Sequence, residues 1–131
     1  MSEPSASGGQ AGGGPLAAFL RSFTFAGHGV WYTVRTQRNM RVHLGAAAAA
    51  VTAGAVVRIG AVQWACVTLA IGLVLVTETL NTVIEAMIDL QGPRYHPLAK
   101  IAKDAAAGAV LLASGTAIGV AIAVFVPRLL R

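Results

Sequence analysis

From Trp64 to Ile88 the chain runs 25 residues that are almost all apolar, yet Glu78, Asn81, Thr82 and Glu85 lie inside the run and Asp89 closes it. About 20 apolar residues suffice for a helix to cross a bilayer. Read as a helix, offsets of 0, 3, 4, 7 and 11 from Glu78 fall on one narrow stripe. Ionisable groups at membrane depth are costly, so they face a bundle interior and mark a functional site. Two carboxylates and an amide on one stripe point to a polar reaction or ion site inside a membrane bundle.

Composition agrees with a membrane protein. Charged residues make up only 11% of the 131, where a soluble domain carries about 25%. The net charge of +5 raises the question of nucleic acid. The apolar runs answer it: Lys and Arg here set topology and meet anionic headgroups, and no nucleic-acid partner is expected. Cys66 has no partner cysteine, which excludes a disulfide scaffold and leaves it as a packing residue. Residues 1–15 are rich in Gly, Ser and Pro and are expected to be a disordered tail. They lack the basic start and apolar core of a signal peptide. Residues 16–131 then form one integral-membrane domain.

The expected fold is all-α: an N-terminal amphipathic surface helix plus three transmembrane helices. Leu16, Phe19, Leu20, Phe23, Val30 and Val34 recur near helical spacing between Arg21, His28 and Arg35, with Trp31 and Tyr32 as headgroup anchors. Leu44–Val57 is uncharged but has only 14 residues, so it must borrow its flanks, with Arg41 and Arg58 snorkelling outward. Trp64–Ile88 is the second span. Ala105–Val126 is the third, 22 residues ending at Pro127, with Gly108, Ala109, Ser114 and Gly115 allowing close packing. Asp89–Asp104 is the one long loop expected, and Asp104 is a candidate N-cap for the last helix.

Arg21, Arg35, Arg38, Arg41, Arg94, Lys100 and Lys103 lie in the N-terminal region and the 89–104 loop; Arg58, Arg128 and Arg131 lie opposite. That bias places the N-terminus and the loop in the cytoplasm of a plasma membrane, with the acidic stripe near the same face. Glu78 and Glu85 are two turns apart, roughly 10 Å along the axis. The separation suits two roles, a base deeper in the membrane and a metal ligand nearer the surface. Asn81 between them could orient a hydroxyl or coordinate metal. Carboxylates for Mg²⁺ beside Arg94, Lys100 and Lys103 for phosphate oxygens are the mix that phosphoryl transfer needs. The chain has no P-loop and no kinase-type Gly-rich loop.

ETLNTVIEAMID from Glu78 to Asp89, with YHPLAKIAKDAAAGAVLL from Tyr95 to Leu112, closely resembles the signature of the small prokaryotic diacylglycerol kinase family. SFTFAGHG from Ser22 to Gly29 and RNMRVHL from Arg38 to Leu44 also look like that family, on its undecaprenol kinase branch. The resemblance covers about residues 16–126. It implies a homotrimer with active sites shared between subunits, ATP and Mg²⁺ as partners, and a lipid alcohol as acceptor. It implies Glu78 as base on the lipid hydroxyl, Asn81 in the catalytic centre and Glu85 as metal ligand. Lys103 is then near the phosphates and Asp104 near the sugar. One departure stands out: the family usually has an acidic metal ligand where this chain has Gln37, whose amide oxygen can coordinate Mg²⁺ without charge.

Each assignment has a plainer rival. Glu78 could be a structural carboxyl between helices, Glu85 a solvated charge, and Asp89 a helix end rather than part of the lipid site. Lys103 could be a topology anchor. Arg38 and Arg41 could bind nucleotide phosphate, bind lipid phosphate or only set topology. His43 and His96 are expected at the interface, and Trp31 and Trp64 in the aromatic belt. The expected activity is phosphorylation of undecaprenol, with diacylglycerol as the runner-up acceptor. An inactive paralogue, motivated by Gln37, and a small ion-coupled transporter using Glu78 as relay remain as alternatives.

Overall fold

The computed structural model describes residues 14–92 and 96–130. Most of the expected tail, with Arg94, Tyr95 and Arg131, lies outside the described residues. Within them the chain is all-helical, with four helices: α1 (Pro15–Thr36), α2 (Arg38–Val56), α3 (Ala61–Asp89) and α4 (Pro97–Leu129). α3 and α4 pack along each other, α2 lies against α3, and α1 touches one end of both α2 and α3.

α1 opens with Pro15 at its first turn, where a missing N–H costs nothing because the helix would leave it unpaired anyway. Among the described residues nothing covers its apolar face. Leu16, Phe19, Leu20, Phe23, Trp31 and Tyr32 are all exposed, and Phe19 and Phe23 meet edge to face at 5.0 Å. Only Thr33 of this helix is buried. One extended residue, Gln37 (φ −96°, ψ 119°), closes α1 and starts α2.

The helices run longer than the apolar runs. α2 starts at Arg38, six residues before the apolar stretch, because the corner at Gln37 lets the RNMRVH segment coil at once. Its 19 residues span about 28 Å, close to the ~30 Å of a hydrocarbon core. α3 and α4 are the two described helices long and apolar enough to cross a membrane. α4 corrects the expected boundaries twice. It begins at Pro97, so the segment between α3 and α4 ends at His96. His96 is the N-cap, its Nδ1 accepting from the Leu98 N–H at 3.2 Å, and Asp104 lies two turns inside the helix. At the other end the helix passes through Pro127 to Leu129. Proline removes a single internal donor so near a terminus, and Leu130 N–H still reaches the Val126 carbonyl at 3.3 Å.

The apolar core sits at the end of the bundle away from the acidic stripe. Ile59, Val67 and Val124 are buried there, with Trp64, Ile71 and Phe125 packed around them. Trp64 is partly buried and packs against this cluster. Cys66, expected to pack, is exposed. Arg128 locks the same end. Its guanidinium donates to the carbonyls of Val57 (3.0 Å) and Arg58 (2.8 Å) and to Gln63 Oε1 (2.8 Å). The α2–α3 turn needs this support because Arg58 holds a positive φ of 51°, which is uncommon outside glycine.

Gly54 lets α2 approach that core. A Cβ there would lie 3.0 Å from Ile59 Cδ1 and 3.0 Å from the Trp64 ring. The ring is rigid and half-buried, so the backbones would have to part. Gly54→Val is expected to destabilise the fold by about 1–3 kcal/mol. The check is the thermal unfolding midpoint in detergent; an unchanged midpoint would contradict this packing.

Candidate active site

Helical geometry gathers the stripe as the sequence implies. Glu78, Asn81 and Thr82 are buried, Glu85 is partly buried and Asp89 is exposed at the helix end. Glu78 is only 1% exposed, and among the described residues neither of its carboxylate oxygens has a hydrogen-bond partner. The Thr82 hydroxyl donates to the Glu78 backbone carbonyl at 3.0 Å and so leaves the carboxylate free. A buried carboxylate without donors costs several kcal/mol, so its retention points to a ligand group that it meets in function.

Glu85 has the opposite environment. Gln37 Nε2 donates to its Oε2 at 3.0 Å, and Asn81 Nδ2 donates to its Oε1 at 3.2 Å. The corner between α1 and α2 thereby aims Gln37 at α3 across 48 residues of chain. Asn81 Oδ1 is buried and has no partner among the described residues. The site thus divides into a bare carboxylate and a carboxylate held by two amides.

These residues suit a hard cation. Glu85, the free Asn81 oxygen and the Gln37 amide oxygen are all oxygen donors, as Mg²⁺ prefers. No group of three or more His, Cys, Asp or Glu that could hold a metal occurs among the described residues. Mg²⁺ commonly takes one or two carboxylates and fills its shell with water and substrate phosphate. Gln37 is turned as a donor to Glu85, so it positions that carboxylate in addition to any contact with metal.

The remaining candidates form a separate, exposed group. Lys103 Nζ pairs with Asp89 Oδ1 at 2.7 Å, joining the end of α3 to the second turn of α4. Lys100 pairs with Asp104 one turn along α4. Lys103 and Asp104 are therefore adjacent in sequence but bound to different partners. Arg38 and Arg41 are exposed at the start of α2, and Arg41 Nη1 donates to the Arg35 carbonyl at 3.1 Å.

His43 was expected at the interface and not in the site, since it has no ligand spacing to a partner. The structure puts its Nε2 3.9 Å from Glu78 Oε2. The signal that could have found it is its place one to two turns into α2, level with the deeper half of the stripe. His43 also lines an open apolar groove of about 350 Å³ between α2, α3 and α4, with Ala47, Val74, Ile118 and Phe125 among its walls. Val74 is one helical turn before Glu78, so the groove runs along the bundle and stops one turn short of the buried carboxylate, which is not part of its lining.

The prokaryotic diacylglycerol kinase family model matches residues 24–125. The chain belongs to that family. Its kinship includes an undecaprenol kinase of Bacillus subtilis (strain 168), 42% identical over 114 residues, 87% of this chain and 93% of that one. A diacylglycerol kinase of Synechocystis is 46% identical over 112 residues, 85% of this chain and 64% of that one. A diacylglycerol kinase of Escherichia coli K12 is 49% identical over a shorter stretch of 41 residues. This member of the prokaryotic diacylglycerol kinase family is a lipid kinase.

Proposed function

We propose that this kinase transfers the γ-phosphoryl group of ATP to undecaprenol, as a homotrimer with three spans per subunit and active sites shared between subunits. The single observation that carries the reading is Glu78, buried with both oxygens free among the described residues and one helical turn beyond Val74 in the wall of an apolar groove. The relative in Bacillus subtilis, matched over 93% of its length, supports undecaprenol as acceptor. Diacylglycerol is the second reading, favoured by the relative in Synechocystis. α2 serves as the third span, with its length close to the bilayer thickness. α1 lies in the headgroup layer, where its uncovered apolar face is satisfied. The Lys and Arg bias keeps the site on the cytoplasmic side of the plasma membrane, within reach of ATP.

In this mechanism the lipid tail lies in the groove and the hydroxyl reaches Glu78. The hydroxyl oxygen bonds to the γ-phosphorus while the bond from that phosphorus to the bridging oxygen breaks, and ADP leaves. The hydroxyl proton passes to Glu78. Glu85, Asn81 and Gln37 would hold Mg²⁺, which supplies charge neutralisation at the phosphates when bound with ATP. Lys103 exchanges Asp89 for a phosphate oxygen, and Asp104 exchanges Lys100 for a sugar hydroxyl. The walls of the groove read apolar area and the hydroxyl end alone is polar, so acceptor choice depends on tail fit. A polyprenol does not leave the bilayer cheaply, which is why the site is built into the membrane.

The test offers purified enzyme undecaprenol and diacylglycerol side by side in one bilayer. Undecaprenyl phosphate as the major product is the expected result. Phosphatidic acid as the major product would move the assignment to the second reading, and no lipid product would remove both.

A further inference from the structure

His43, which lines the groove, and Glu78, one helical turn beyond its wall residue Val74, approach each other from two helices, yet they do not bond. The 3.9 Å between His43 Nε2 and Glu78 Oε2 is too long for a good hydrogen bond. It is short enough for one oxygen to bridge both once the packing that buries the Glu78 oxygens opens to admit it. A hydroxyl oxygen about 2.8 Å from each atom would see them at an angle of about 90°. That is a workable angle for a hydroxyl that donates one hydrogen bond and accepts another. Glu78 can only accept in its charged form, and an imidazole N–H can donate. The lining of the groove is otherwise apolar near this point, with Val74 and Leu75 on α3 and Ala46 and Ala47 on α2. His43 is thus the polar side chain in the groove lining that reaches the unpartnered carboxylate.

We propose that His43 Nε2 donates a hydrogen bond to the acceptor hydroxyl while Glu78 accepts from it, so that α2 and α3 together fix the attacking oxygen. This rests on the kinase reading above. His43 then contacts substrate at the reacting atom, and it orients the lone pair of the oxygen that attacks. The nucleotide end, at Glu85, Asn81 and Gln37, is on the other side of Glu78 and does not involve it.

Three substitutions separate this role from packing and from charge. His43→Leu fills the space without a donor. His43→Gln keeps an N–H donor near the position of Nε2 without the charge. His43→Ala removes both. In the bilayer assay, His43→Leu and His43→Ala should lower kcat/KM for the lipid about 10- to 100-fold, the effect of one hydrogen bond to a group gaining charge. KM for MgATP should stay within about twofold of wild type, and His43→Gln should recover most of the loss. Wild-type transfer with undiminished His43→Leu turnover would overturn the role and leave the kinase reading standing. His43→Gln as poor as His43→Leu would also overturn it, since charge and not a donor would then matter. Absence of lipid phosphorylation by wild type overturns the kinase reading and this inference together.

Discussion

Glu78→Gln is expected to lower kcat for lipid phosphorylation by about 10²–10⁴-fold, the range for loss of a general base. The substitution keeps shape and burial but removes the acceptor that takes the hydroxyl proton in the proposed mechanism. Glu78 makes no side-chain hydrogen bond within the described residues, so no structural partner is lost with it. The fold should survive, and removal of a bare buried carboxylate should raise the unfolding midpoint if it shifts at all. KM for MgATP should change little. This combination distinguishes a base from a structural carboxyl. A structural Glu78 would show the reverse: a lower midpoint with near-normal turnover.

The second large effect is expected at Glu85. Glu85→Ala removes the carboxylate that Gln37 and Asn81 hold at 3.0 and 3.2 Å, leaving two amide donors without their acceptor. Turnover should fall by about 10²-fold or more, the scale for losing a preorganised electrostatic partner. The loss should be deepest at low Mg²⁺ and shrink as Mg²⁺ rises, because mass action can offset a weakened site. The measurement is kcat/KM for MgATP across a Mg²⁺ titration, set against Glu78→Gln. A base variant should show a deficit independent of Mg²⁺. If both variants respond to Mg²⁺ alike, the division into a base and a metal-side carboxylate is wrong.

Much of this site was legible because helical periodicity alone places Glu78, Asn81, Thr82 and Glu85 on one stripe. The structure keeps that stripe and buries its deeper half. Chain corners and cross-helix distances were not legible. Nothing local shows that Gln37, extended between two helices, reaches Glu85 48 residues away. The same applies to His43, which sits near Glu78 only because α2 packs on α3. The helix ends were misjudged where hydropathy stood in for helix extent. α2 and α4 continue as helix into polar flanks, where backbone hydrogen bonding and not apolar content decides. Asp104 had the right residue type for a cap, but His96 before Pro97 took the position, since proline favours the first turn. The packing of the Trp64 ring beside Gly54 on the facing helix was not legible either, because it depends on how closely α2 approaches α3.

The central claim is that Glu78 drives phosphoryl transfer from ATP to a lipid hydroxyl. The most direct measurement is the transfer of label from γ-labelled ATP into extractable lipid by purified wild-type and Glu78→Gln protein in one bilayer with Mg²⁺. The account predicts a labelled lipid phosphate from wild type and almost none from Glu78→Gln at equal folded protein. Equal labelling by both, or no labelled lipid from wild type, would contradict it.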